Sequence, residues 1–450
     1  MRILFFTHSG TNSRDIFLDM ATGFERAGHE VLRWELEPMV RVYQAGASAR
    51  MPVIQSMTAM VAQFIKSNGI DLSVGMWANA LGSLAHGAKG GKPASFFDMI
   101  ESPHLMYWLD APHWASGGGM QEIFGSPLIK GTHVHSVVNN DGIAREMTEV
   151  LGFASTMGRR YGINEEVFRP NDQIAQDYDI VFGSGPGDPK ASALMLRELE
   201  SDDPDVDAMR RERAEGARLK LDKHAQSFGQ DAEAMTELFR ALLERRLGPP
   251  GVAMLDDIAA LEAEGHALAG AKLRANPRGF VRACALLRSI DCWRRAFTIT
   301  YLSKRARCAV FGSMALEGWP CEAKRLGDLA YADMPKAYSS GRLGLNAMRW
   351  QDDIGLNLKP YEITGSGACL LCDRRVGFDD VFVEGVEASG FATPGQAWAK
   401  ARALLDDEPG RKAMAEAGRA RTLRDHTWTM AAQDLTEWVF SQHERARQAA

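Results

Sequence analysis

The chain opens on a continuous apolar run, Arg2-Ile3-Leu4-Phe5-Phe6, followed by a polar stretch from Thr7 to Asp15 and then by apolar positions at helical spacing over 16–27. Gly28-His29-Glu30 leads into a second apolar run, Val31-Leu32-Arg33-Trp34. Strand, turn, helix and strand in that order predict the first βαβ unit of a parallel sheet, whose strands are apolar throughout because helices cover both faces. The pattern repeats: a helix over 57–68, then strands over 69–75, 92–97, 104–109 and 134–138, and a helix over 141–151. These elements predict a doubly wound α/β domain over 1–170.

After a polar linker at 171–177, a second apolar strand from Tyr178 to Phe182 runs into Gly183-Ser184-Gly185-Pro186-Gly187, with a helix predicted over 190–199. From 201 to 287 the chain is rich in Ala, Glu, Arg and Leu at helical spacing. Gly248-Pro249-Pro250-Gly251 and Asn276-Pro277-Arg278-Gly279 interrupt it. Short strands return over 308–313, 343–346 and 369–373, and the end is helical over 396–406, 408–421 and 428–447. The expected organisation is a second Rossmann-like domain over 171–200 and 288–427, a helical insertion over 201–287, and a C-terminal helix over 428–450 packing back on the first domain.

The 52 Lys and Arg against 58 Asp and Glu give a formal charge of −6, which argues against a general nucleic-acid binder. Arg294-Arg295 and Lys304-Arg305-Ala306-Arg307 are local candidates for anion contacts. No run approaches the roughly 18 apolar residues of a membrane span, and the opening lacks a signal-peptide pattern. A cytoplasmic protein is the expectation. Cys369-Leu370-Leu371-Cys372 is formally CxxC, but within a strand a spacing of three puts the two thiols on opposite faces, as core residues. Asp205-Val206-Asp207 is formally DxD, yet it sits where helix capping explains it, so no metal is expected. His133 and His135, two apart on a strand, share a face and mimic a metal pair, but with no third ligand nearby they are expected to be structural histidines.

In open parallel sheets, ligands bind outside the carboxyl ends of the strands. The first such edge, Thr7-His8-Ser9-Gly10-Thr11-Asn12, is not GxGxxG, and GxxxxGK[ST] is absent, which argues against a dehydrogenase and a P-loop enzyme. The second, 183–187, offers backbone N–H groups to a phosphate, or is simply a tight strand-to-helix turn. The densest polar cluster is Asn357-Leu358-Lys359-Pro360-Tyr361-Glu362-Ile363-Thr364-Gly365-Ser366-Gly367. Proline suits the first turn of a helix, where Glu362 can accept from vicinal hydroxyls and Lys359 can neutralise a phosphate. Ordinary capping explains the same glutamate. Asp110 and His113, just past a predicted strand end, are candidate bases for an attacking hydroxyl, and His8 is a third. A turn-forming Asp before Ala-Pro and a surface His are the plain alternatives.

Tyr338 followed by Asn346, the 357–363 segment, Gly365-Ser366-Gly367 and the strand ending at Asp373 together resemble the C-terminal half of the CgeB-like (spore-maturation-type) glycosyltransferases. Tyr178 to Ser184, Phe382 to Glu387, and Asp425-His426-Thr427-Trp428 extend the likeness, and Met106 to Pro112 resembles the Asp-x-Pro turn of the first domain. The resemblance implies a GT-B fold, two Rossmann-like domains facing a cleft, and metal-independent transfer from a UDP-linked or related nucleotide-diphosphate sugar. The donor set it implies is Gly183, Ser184, Gly185, Gly187, Gly312, Arg342, Asn346, Lys359, Tyr361 and Glu362, with Gly10 and Thr11 on the acceptor side. In related enzymes the glutamate matching Glu362 binds the donor ribose, whereas the earlier sugar-contacting carboxylate is replaced here by Ile354, beside Asp353. The acceptor is not implied. An epimerase on the same fold and an inactive scaffold are the alternatives, with 201–287 as a surface for a partner or a second copy.

Overall fold

Apolar runs with no polar alternation have to be buried on both faces, and in the computed structural model most of them are, the edge run at 31–34 excepted. The structure describes all residues except 8–10, 45–49, 115–119, 184–189, 249–251, 313–315, 352–353 and 450. The chain forms two units: Met1–Asn164 with Leu273–Val281 and Trp428–Ala450, and Glu165–Lys272 with Arg282–Thr427. Each contains a six-stranded parallel sheet. Two Rossmann-like units in one chain is the composition a GT-B fold requires.

The first unit carries β1 (Arg2–Thr7), β2 (Glu30–Glu35), β3 (Leu72–Met76), β4 (Gly87–Lys89), β5 (Lys92–Ala94), β6 (His104–Tyr107), β7 (Val134–Val138) and β8 (Thr156–Gly158). Its sheet runs β2-β1-β3-β6-β7-β8. β3, β6 and β7 are buried along their whole length, while β2, at the edge, has exposed positions. Ile3 pairs with Val31 on one side and Leu72 on the other, so strand order reverses between β1 and β3.

One expected strand is corrected. Lys92–Ala94 pairs antiparallel with β4 in a separate hairpin, and Phe96–Ile100 is helical. Ser95 is the reason: its hydroxyl accepts from the Asp98 N–H at 3.1 Å and starts a helix where the apolar Phe-Phe pair alone suggests a strand.

The second unit carries β9 (Tyr178–Gly183), β10 (Cys308–Phe311), β11 (Lys324–Gly327), β12 (Gly341–Asn346), β13 (Cys369–Asp373) and β14 (Ser389–Phe391), in the order β11-β10-β9-β12-β13-β14. Here the order reverses between β9 and β12, which is where doubly wound sheets open a crevice at their carboxyl ends. β11, a polar edge strand of sequence Lys-Arg-Leu-Gly, has no apolar pattern to announce it.

The described residues between β9 and β10 are mostly helical. Helices Val206–Ala225 and Ala232–Leu247 bury Met209, Ala217 and Leu221, and Met235, Leu238 and Leu242. Buried Arg210 bonds Asp291 at 3.0 Å and donates to the carbonyls of Arg246, Leu247 and Gly248. It thereby satisfies the open C-terminal carbonyls of the second helix. Asp205 of the formal DxD caps the first of these helices, accepting from Ala208 N–H at 2.8 Å. Among the described residues, no helix is long and apolar enough to cross a membrane.

The last helix, Trp428–Ala449, lies on helix Thr11–Arg26 of the first unit. Trp428 N–H donates to Ile163 O at 3.0 Å, and Arg159 pairs with Asp434 at 2.9 Å. The approach is close because Gly23 lacks a side chain: a Cβ there would stand 2.4 Å from Trp428 Cβ and 2.5 Å from its carbonyl carbon. Gly23→Ala therefore destabilises the protein, although alanine gains about 1 kcal/mol of helix propensity. Backbone in the way cannot rotate aside, so a net loss of about 1–3 kcal/mol is expected in a denaturant melt.

Candidate functional site

β9 and β12, the neighbours at the reversal in the second sheet, end on Gly183 and Asn346. Gly183 lies opposite Phe311 of β10, and a Cβ on it would sit 2.2 Å from the Phe311 ring. A bare glycine is thus demanded by packing at this strand end. Gly312 follows β10 with φ +93°, a left-handed backbone that favours glycine, and its N–H donates to Gly327 O at 2.8 Å. Asn346 is buried, with its amide nitrogen 3.0 Å from Met348 Sδ and 3.4 Å from Cys372 Sγ.

Helix Lys359–Gly365 follows β12, with Pro360 in its first turn. Asn357 Oδ1 accepts the Lys359 N–H at 3.2 Å and fixes the entry. Three residues on, Glu362 is 1% exposed, and Lys359 Nζ lies 2.8 Å from its Oε2. The hydroxyl of Tyr338, from helix Met334–Ser339, donates to the same oxygen at 3.4 Å. Burial and the adjacent carboxylate push the Tyr338 phenol well above its ordinary range, so it keeps its proton. The Tyr338 ring packs edge-on against Phe311, centroids 5.2 Å apart. Lysine and glutamate at i and i+3 were readable as a pair in the sequence, while the tyrosine 24 residues upstream carries no local signal of this contact.

Other expected donor residues lie elsewhere. Tyr361 is fully buried, its ring 4.8 Å from His426 and 6.2 Å from Phe382. Arg342 is corrected: it sits at the amino end of β12, 3.8 Å from Asp179 at the start of β9, four residues before Asn346. At about 3.3 Å per residue that is roughly 13 Å from the carboxyl edge. Ser184, Gly185 and Gly187 lie outside the described residues. The basic stretches are committed to neighbours. Arg294 pairs with buried Asp373 at 3.0 Å, Arg295 donates to Ala347 O at 3.0 Å, Lys304 pairs with Glu200, and Arg307 with Asp179 at 3.4 Å. Arg375 takes the other Asp373 oxygen at 3.1 Å. Cys369 and Cys372 are buried, which holds both thiols up at about 12.

In the first unit, Asp110 follows β6 and is half-buried. His113 is not a surface residue: its side chain is fully buried, with Nε2 2.9 Å from Oε2 of equally buried Glu146. His8 and Gly10 lie outside the described residues, and Thr11 begins the first helix.

His133 and His135 gain a companion from the far end of the chain. His443, on the last helix, places Nε2 3.3 Å from His135 Nε2, and its ring lies 4.9 Å from that of His133. Asp98 Oδ1 is 3.3 Å from His133 Nδ1, Ser155 Oγ is 3.0 Å from His135 Nδ1, and the Trp438 ring lies edge-on to His135. Among the described residues no group of three His, Cys, Asp or Glu side chains is arranged to hold a metal. Beside the cluster is a cavity of about 1170 Å³, lined by Asp71, Pro103, His133 and His443 among others. It lies at the amino ends of β3, β6 and β7, away from the strand ends where ligands of such sheets bind.

Residues 291–437, about a third of the chain, match the family described as glycosyl transferase-like. The match spans most of the second sheet and the Lys359–Glu362 pair, and marks the chain as a transferase enzyme. A search of curated proteins returned no match. Similar solved structures include Anabaena Alr3699/HepE in complex with UDP and glucose, 12% identical over 98% of this chain and 100% of that one, TM-score 0.48. Sucrose-phosphate synthase from Thermosynechococcus elongatus is 9% identical over 100% and 99%, TM-score 0.49. T4 phage β-glucosyltransferase is 9% identical over 98% and 99%, TM-score 0.48. Overlays this loose transfer no residue role.

The histidine cluster has a pH signature. Burial, with His443 and His133 nearby, holds His135 down at about 3; burial and His135 do the same to His104. Burial works against the Asp98 carboxylate, but bonds from His133 and Ser95 outweigh it and keep its pKa low. Imidazoles depressed below 6.5 bind fewer protons in the folded state than in the unfolded one. Their stability contribution is whole above pH 6.5 and is lost as pH falls towards about 3. Melts between pH 7.5 and 4.5 should show falling stability, and His135→Asn should remove about 1.4 kcal/mol per pH unit from that slope near pH 4.5.

Proposed function

We propose that the chain is a glycosyltransferase that moves a sugar from a nucleotide-diphosphate donor, UDP-linked, to a hydroxyl of an acceptor, without a resident metal. The observation that carries this is the pair of partly exposed Lys359 and buried Glu362 beside the β9/β12 reversal, inside the segment that matches a glycosyl transferase-like family. A carboxylate there accepts hydrogen bonds from the vicinal hydroxyls of a ribose, and an ammonium next to it offsets diphosphate charge. Solved complexes of Anabaena HepE with UDP and glucose and with UDP-glucose are in keeping with this donor class.

The chemistry is a displacement at the anomeric carbon. The bond from C1 to the diphosphate oxygen breaks, a bond from C1 to the acceptor oxygen forms, and the electron pair leaves on the diphosphate. Lys359 meets that growing negative charge, the usual way a protein lowers such a barrier. The acceptor proton is assigned to Asp110, because His113 is enclosed with Glu146 while Asp110 keeps partial exposure.

A thermal-shift screen with UDP, GDP, dTDP and CMP tests the donor site, because a ligand that binds only the folded state raises stability with concentration. UDP should give the largest shift. Glu362→Ala should weaken it about tenfold to a hundredfold, the range for losing hydrogen bonds to a charged group. Lys359→Ala should weaken UDP and leave uridine nearly unchanged. No shift with any nucleotide at millimolar concentration would overturn the proposal. Asp110→Asn should lower turnover about 10²- to 10⁴-fold while leaving the UDP shift intact.

A further inference from the structure

Glu362 has two oxygens and they are not used alike. Lys359 Nζ at 2.8 Å and the Tyr338 hydroxyl at 3.4 Å both engage Oε2, and among the described residues Oε1 accepts no hydrogen bond. Both donors meet the same oxygen, which leaves Oε1 open to a further donor. They act differently. Lys359 is partly exposed, on the same helix turn, and free to follow a phosphate. Tyr338 is fully buried and comes from another helix, so it cannot leave.

Its ring is wedged in turn. Phe311 stands edge-on against Tyr338, and the Phe311 ring fills the space that a side chain at Gly183 would take. Gly183, Phe311, Tyr338 and Glu362 thus form one packed series from the end of β9 to the acid. The 3.4 Å separation exceeds the ~2.7–2.8 Å usual for O–H···O bonds, so in this state the hydroxyl adds little to the fold. Of the two donors on Oε2, Tyr338 is the one held in place by its packing.

Resting on the reading above, we propose that Tyr338 is a positioning residue: through its hydroxyl on Oε2 it holds Glu362 so that Oε1 accepts from the donor ribose, and so sets the preference for nucleotides with intact ribose hydroxyls. The test is calorimetric binding of UDP and 2′,3′-dideoxy-UDP to the full chain, wild type, Tyr338→Phe and Glu362→Ala. The wild type should prefer UDP, and Glu362→Ala should abolish that preference. Tyr338→Phe should weaken UDP about tenfold, as expected for losing a hydrogen bond to a charged group, and leave dideoxy-UDP within about twofold. An unchanged UDP preference in Tyr338→Phe, or equal loss for both ligands, would overturn the positioning role while the ribose site stands. No preference in the wild type, or a preference that survives Glu362→Ala, would overturn both. If Tyr338→Phe does not fold, 3-fluorotyrosine at position 338 of the otherwise native chain replaces it. Its ¹⁹F resonance should move with UDP and not with dideoxy-UDP; the same response to both would overturn the proposal.

Discussion

Taking a carboxylate out of water costs several kcal/mol unless partners replace the lost hydration, and removing one partner of such a pair costs most of that again. Glu362, at 1% exposure, is therefore a demand on its surroundings. Lys359 answers it from the same turn of helix, and Tyr338 from a neighbouring helix. The tyrosine is held by Phe311, and Phe311 has room only because residue 183 is glycine. One buried acid thus constrains residues on four separate segments of the second unit.

The same economy recurs along the carboxyl edge. Asp373 ends β13 fully enclosed, with an arginine on each oxygen. Arg294 also donates to Ala392 O, tying the strand end to the segment after β14. Arg210 does for the helical segment what Arg294 does for the sheet, joining Asp291 to the open carbonyls of a helix end. Guanidinium suits these places because its several donors satisfy a carboxylate and backbone carbonyls together. The arginines that composition offers as anion contacts are largely the fasteners of this unit.

The first unit shows a different use of buried polar groups. His133, His135 and His443 meet carboxylate, hydroxyl and aromatic neighbours where the last helix packs, and His104 contacts Ser73 within the sheet. Burial disfavours the charged form of His104 and His135. His113 and Glu146 form another enclosed pair further along the unit.

The sequence by itself determined what depends on near neighbours. Apolar runs marked nine of the twelve parallel strands and missed β8, β11 and β14, and Lys359 and Glu362 fell one helical turn apart. Even two misreadings were legible locally. Ser95-x-x-Asp98 is a capping pattern, and Arg342 precedes the strand read at 343–346, which already places it at the amino edge. Tertiary structure alone decided contacts between distant positions: Tyr338 with Glu362, Glu146 with His113, and His443 with His135, 308 residues apart. Periodicity states which face of an element is buried, because that follows from hydrophobic spacing. It does not state which side chain from another element arrives there, because that depends on strand order and helix placement across the whole sheet.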